Sequence, residues 1–518
     1  MKLHLNKALM AVVLGASVQV ASADVLLQTP GVVVEDGNLS GALSGTYTGP
    51  IVVDSDASLS GTHTTKSRLD VREGTVTIGG TFSNEGGLQV SGNGATLNVT
   101  NGTVNVKGGL GTVQIGGCDG SGSLNLQNST LDASVSLSAG FHKGADWAQY
   151  LTATRDSADA SSSRYNDGSY VKVDYANREY GKATINLDNS TANFRSAIFL
   201  AEADMTLKNG SVVLSGSNVD PFAHTIEEKA TGEYKDPTDE REINGYHILG
   251  RQSGSTTNVS IQSNSKMLLE GTLFVGSTGA AEIAANITVD GQGSTLETSQ
   301  GIAFGYGHVS DTEAGGTSVT TVQLTNGGSM VSDTILFGVQ VAESKGLHTV
   351  DVDVESAASI TAKDIVISNG ADVTVQGGSL AFSTLTMNGG ALTLDDAAML
   401  TINVTEAAGT AITLDGDAAK LDFAANTIKL VFDELLSVAN PSVQLTWELI
   451  SGIGENDDVN LDGLKILSGT DYVSLSNVKV EETDGKVVLT ATASIPEPTT
   501  ATLSLLALAA LAARRRRK

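Results

Sequence analysis

The sequence predicts an all-β molecule, a right-handed parallel β-helix, on three observations. The first is a run of short apolar alternations separated by turn residues. In "ATLNVTNGTVNV", Leu97 and Val99 alternate, Asn101-Gly102 turns the chain, and Val104 and Val106 alternate again, which is the period-two pattern of strand, turn, strand. The second is a pair of signatures held at a fixed distance. Apolar-x-apolar-x runs ending in Asn and Gly or Ser ("INLDNS", "SIQSNS", "VQLTNG") precede apolar triplets closed by a small residue ("IFLA", "LFVG", "ILFG"). Asn128 to Gly140, Asn189 to Ala201, Asn264 to Gly276 and Asn326 to Gly338 are each twelve positions apart. The third is variable spacing between repeats. Gly276, Gly305 and Gly338 are separated by 29 and 33 positions, whereas Asn369-Gly370 and Asn388-Gly389 lie nineteen apart. A constant segment joined by loops of varying length is the mark of a solenoid.

A single coil cannot bury its apolar side chains, but stacked coils share a core and pair their backbones at about 4.8 Å per coil. At about 20 residues per coil, some fifteen coils give a rod on the order of 70 Å long. Tandem β-sandwiches would need periods of about 100 residues and larger aromatic cores, and aromatic residues make up only 4% of the chain.

The elements follow in order. Residues 1–23 read as a signal peptide for Sec export: Lys2 and Lys7, the apolar run Ala8 to Val20, and the small-residue cleavage pattern Ala21-Ser22-Ala23, giving a mature chain from Asp24. Residues 24–420 are assigned to the β-helix. Two stretches interrupt it, 141–182 and 219–251, and both are expected to project from one corner. They concentrate aromatic residues, and Trp147, Tyr150, Tyr165 and Tyr170 mark the candidate ligand-binding loop, suited to glycans or other surface proteins. The competing reading is a pair of solvated decorations packed on the rod. Residues 421–494 differ from the repeat and are expected to form a β-rich cap, because the end of a solenoid is an exposed edge. Within it, Phe432 to Leu436 suggests a helical turn, Trp447 sits in an alternating strand, and "KVVLTATAS" at 486–494 is the last strand before a short linker.

The tail, 495–518, has three parts: Pro496-Glu497-Pro498, an apolar run from Ala501 to Ala513, and Arg514, Arg515, Arg516, Arg517 and Lys518. The prolines keep the backbone extended. The run is thirteen residues, roughly 20 Å as a helix against a hydrocarbon core of about 30 Å. That suits transient membrane insertion, oriented by the arginines, with helical signal segments at both ends of the chain. The tail resembles the PEP-CTERM sorting signal of Gram-negative envelope proteins. The resemblance implies that Pro496, Glu497 and Pro498 are recognised by an exosortase-type processing enzyme. It also implies release or attachment at the cell surface once the tail is removed.

The full chain carries a net charge of −27; without the seven cations of its two ends, residues 24–498 carry −34. Such a surface repels nucleic acid and anionic membrane. Cys118 is the single cysteine, so no disulfide forms within the chain. Chemistry is thinly represented. Asp351, Asp353 and Glu355 alternate along one strand and share an outer face, and the histidines (His63, His142, His224 and His247 among them) are scattered. No catalytic residue, metal ligand or cofactor is assigned. The β-helix resembles an autotransporter passenger, but the aromatic-girdled strands of a barrel are missing. The expected function is that of an exported, non-catalytic structural rod or adhesin. The alternative is an extracellular carbohydrate-active β-helix enzyme, a polysaccharide lyase or glycosidase.

Overall fold

The repeat Gly122–Gln127, Thr130–Ala133, Leu137–Ala139 shows how the coil is made. Along the first strand Leu124 and Leu126 point inward and Ser123 and Asn125 outward. Asn128 then takes a left-handed φ of 50°, a conformation that Asn tolerates because its short side chain bonds locally. Two more strands follow, and Gly140 closes the coil at φ 74°. A Cβ there would stand 2.1 Å from the carbonyl oxygen of Glu202 in the next coil, so the close approach requires glycine.

The computed structural model describes residues 32–34, 37–39 and 51–496, except 54, 66–67, 108–112, 118–119, 141–161, 165–169, 173–180, 217–245, 251–253, 277–282, 306–316, 340–346, 416–417, 424–425, 433–434 and 437–439. Among these residues there is no helix, and 42 strands join in one sheet. The three strands of each coil belong to three parallel stacks, and corresponding strands of successive coils lie hydrogen-bonded above one another. Stack I takes strands such as Ala183–Asp188 and Ala203–Lys208, stack II Thr191–Phe194 and Val212–Ser215, and stack III Ile198–Leu200 and Tyr246–Leu249. Stack I runs through fifteen rungs from Gly37–Leu39 to Asp458–Asn460. This is the parallel β-helix that the spacing predicts, roughly 70 Å long at about 4.8 Å per rung.

The core is a set of apolar columns. In stack I, Leu97, Leu124, Ile185, Met205, Val259, Ile287, Val322 and Val352 succeed one another in register, all at most 2% exposed. Each such side chain contributes about 1.5–3 kcal/mol by leaving water. Phe304 and Phe337 stack at 5.3 Å with ring planes 6° apart. A second apolar stripe lies outside stack III. Phe199, Ile248, Phe274, Ala303, Leu336 and Val366 fall in register on the outward positions, and four of them (Ile248, Phe274, Ala303, Leu336) are buried nonetheless.

Three expectations change. Residues 246–249, inside the interruption expected at 219–251, form a stack III strand. With Gly250 they carry "HILG" (247–250), the same closing signature that marks stack III elsewhere, so the repeat resumes there. The two interruptions also leave from different corners: the first follows the stack III strand Leu137–Ala139, the second the stack II strand Val212–Ser215. Finally, parallel stacking does not stop near residue 420. Lys420–Asp422 pairs with Asp458–Asn460 and Thr427–Val431 with Lys465–Ser468, all parallel, because the inward alternation of Leu421, Ile428 and Leu430 persists.

Candidate sorting site and surface ladders

The tail joins the rod at its C-terminal end, where the direction of pairing reverses. Ala408–Leu414 pairs parallel with Ser442–Ser451 in stack III, and Ser442–Ser451 then pairs antiparallel with Lys486–Ser494. Ser474–Thr483 adds to the other edge of Lys486–Ser494, also antiparallel. The final strand alternates strictly: Val487, Leu489, Ala491 and Ala493 are buried against the last rungs, and Val488, Thr490, Thr492 and Ser494 face out. Trp447 is 5% exposed, and its indole N–H donates to the Glu406 carbonyl at 3.0 Å. Just upstream, the Leu436 N–H donates to the Phe432 carbonyl at 3.2 Å; residues 433–434, within the helical turn expected there, lie outside the described residues.

No linker separates this sheet from the sorting motif, contrary to expectation. The Ile495 N–H donates to the Pro441 carbonyl at 2.7 Å, Ile495 packs against the core, and Pro496 is exposed immediately after it. Alternation in the sequence marks the strand's end at Ser494 but carries no sign of the further bond at Ile495. Glu497, Pro498 and Arg514, Arg515, Arg516 and Arg517 lie outside the described residues, as do both signal segments, with Ala21 and Ala23. Trp147, Tyr150 and Tyr165 lie outside them too. Tyr170 opens the strand Tyr170–Lys172, which pairs antiparallel with Ser162–Arg164 in a separate two-stranded sheet within the first interruption.

Along the rod, outward residues join rung to rung through side-chain ladders. The Asn125 amide donates to Asn98 at 2.9 Å and the Asn186 amide to Asn125 at 2.8 Å; further on, Asn286 donates to Asn258 and Asn258 to Asp204. The turn asparagines join in as well, Asn189 donating to Asn128 and Asn326 to Asp290. These contacts tune acidity. The Thr325 hydroxyl, and then the Asn326 amide, hold the Asp290 carboxyl below its ordinary value. Partial burial pushes Asp204 up, but the Asn258 amide and the Lys182 ammonium, 2.7 Å away, outweigh it and leave that carboxyl lowered.

Inside four successive Asn turns, at Asn128, Asn189, Asn209 and Asn264, runs a buried serine ladder that the sequence signature contains without revealing. The Ser129 N–H donates to Ser190 Oγ, Ser190 N–H to Ser211 Oγ and Ser211 N–H to Ser265 Oγ, at 3.0–3.2 Å. The hydroxyls of Ser190 and Ser211 donate to carbonyls of their own turns, so each turn satisfies the one before it.

Asp351, Asp353 and Glu355 do share the outer face of one strand while Val350, Val352 and Val354 point inward. Among the described residues no group of three His, Cys, Asp or Glu is arranged to hold a metal ion. His247 occupies an inward position, in register with Leu273. Its Nδ1 accepts from the Ile198 N–H at 3.1 Å, so the proton sits on Nε2, which donates to the Glu270 carbonyl at 2.8 Å with Ser215 Oγ at 3.0 Å. Burial lowers its pKa to about 4.

Residues 494–518 match the family model of the PEP-CTERM protein-sorting motif. No curated protein and no solved structure matches the chain. The motif marks an exported protein sorted to the cell envelope through its C-terminal tail, with an exosortase-type enzyme as its processing partner.

Proposed function

We propose that this exported chain works as a non-catalytic surface rod, structural or adhesive, on a Gram-negative envelope. It leaves the cytoplasm through the Sec machinery by the signal peptide at 1–23, and its tail inserts in the membrane only until it is processed. The observation that carries this reading is the continuity of the rod. Fifteen rungs succeed one another in stack I, with outward Asn, Asp, Ser and Thr tied rung to rung. Side chains spent on each other in this way stiffen a surface; they are not left converging on a reacting atom, as acid–base catalysis requires. In the adhesive version the interruption 141–182, with Trp147, Tyr150, Tyr165 and Tyr170, carries the ligand, a glycan or another surface protein.

The test is incubation of purified 24–496 with a broad panel of host and microbial glycans, recording both retention and change in glycan mass. Retention without a mass change, lost in Trp147→Ala and Tyr170→Ala, supports the adhesive rod. No retention and no mass change leaves the purely structural rod. A mass change overturns the reading in favour of a carbohydrate-active enzyme.

A further inference from the structure

The sheet that carries the tail is polarised along its strands. Its outward face is built of cross-strand rows. The row nearest the tail is Ser442, Ser494 and Ser474, and the next is Gln444, Thr492 and Ser476. Both are uncharged and tied together: Ser474 bonds Ser494, and the Thr492 hydroxyl donates to Gln444. Charge enters only farther away, at Lys479 opposite Thr490, then at Glu448 and Glu481 beside Val488, and at Glu482 and Lys486. Tyr472, 51% exposed, stands just before the near end of Ser474–Thr483. Two exposed carboxylates border these rows without belonging to them: Asp471, next to Tyr472, and Glu406, whose carbonyl accepts from the Trp447 indole. In a chain of net charge −27, two uncharged cross-strand rows stand where the tail leaves.

The tether is short. Four residues, 497–500, separate Pro496 from the apolar run. Fully extended, the five steps from Pro496 to Ala501 span at most roughly 17 Å. The headgroup layer takes up about 5–8 Å of that distance on one side of the bilayer. An apolar run of about 20 Å in a core of about 30 Å draws its flanking residues inward and removes the remaining slack. Ile495 is bonded to Pro441 and cannot lengthen the tether without unpairing the strand.

We propose that the near end of this sheet (Ser442, Gln444, Ser474, Ser476, Thr492 and Ser494, with Tyr472 beside them) is a membrane-facing surface that rests on lipid headgroups while the tail is inserted. Uncharged hydroxyls and amides exchange hydrogen bonds with headgroups without the repulsion that carboxylates meet at an anionic surface. An aromatic ring with a polar tip suits the same layer. The inference rests on the reading that the tail enters the membrane.

Flotation of the full-length chain with vesicles of three parts phosphatidylethanolamine to one part phosphatidylglycerol tests it. The wild type is expected to float. A variant carrying Gln444→Glu, Ser476→Glu and Thr492→Glu should bind about tenfold less or weaker at low salt. Binding should recover in 0.5 M salt (about a 4 Å screening length) and on insertion of about 20 Gly/Ser residues between Ile495 and Pro496. A control with the same added charge on the rod's flank, Gln323→Glu, Thr361→Glu and Gln376→Glu, should float like the wild type. If the near-end variant floats like the wild type, or its loss is not rescued by the linker, the surface is not membrane-facing. A wild type that does not float overturns the insertion reading and this proposal with it.

Discussion

His247 shows what one polar group costs inside an apolar column. Its pKa of about 4 lies below the ordinary value near 6.5, so the folded chain refuses a proton that the unfolded chain accepts between those two limits. The neutral imidazole therefore contributes fully above pH 6.5, and its contribution falls away as the pH drops toward 4, by on the order of 3 kcal/mol. His247→Gln is expected to be less stable than wild type at pH 7.5 and to show a flatter decline down to pH 4.5, read as urea midpoints at successive pH values. The turn asparagines make the opposite use of a polar side chain. Asn189 combines a φ of 48° with an amide given to Asn128. Asn189→Ala keeps neither advantage and should destabilise by about 1–2 kcal/mol, with Asn189→Gly costing less because it keeps the backbone freedom; thermal melts of the two variants give the comparison.

At the level of the element, each turn leans on its neighbours. Ser211→Ala removes the acceptor for the Ser190 N–H inside a buried turn, and an unsatisfied buried donor costs about 1–3 kcal/mol. Hydrogen exchange should show the loss concentrated at Ser190 and the adjoining rungs, since coils stabilise one another pairwise. The turns were the most legible elements in the sequence, because αL backbone admits few residues and therefore prints Asn and Gly at fixed offsets. The closing triplets were legible as strands, but not in what they imply. Three apolar residues in succession mean a strand covered on both faces, and Ile248 and Phe274 are the outward members of their triplets. Least legible was the tail root. Of the two antiparallel partners of "KVVLTATAS", the one that joins it to the rod lies about forty residues upstream, and local alternation does not specify a distant partner or the bond at Ile495.

For the whole molecule, length is set by the number of rungs. Asp364 pairs with Thr384 and Ile365 with Leu385 in successive coils, so excising residues 364–383 joins Lys363 to Thr384 in register. The shortened chain should keep its β circular dichroism and lose about 5 Å in maximum dimension by small-angle scattering. Excising only 364–373 places strands of one stack over another and should abolish cooperative melting.

The strand that seals the rod is followed two residues later by the sorting motif, so order in space becomes order in time. A chain emerging from an export channel N-terminus first presents its coils singly, and each needs only its predecessor as a template. Lys486–Ser494 comes almost last, and it finds its edge only if Ser442–Ser451 has already settled on the coil before it. In an unfinished molecule the root of the Pro-Glu-Pro address hangs from loose chain; in a finished one that root, Ile495, is bonded to a folded end. The seating of Ile495 thereby distinguishes a finished molecule from a stalled one at the residue before the address.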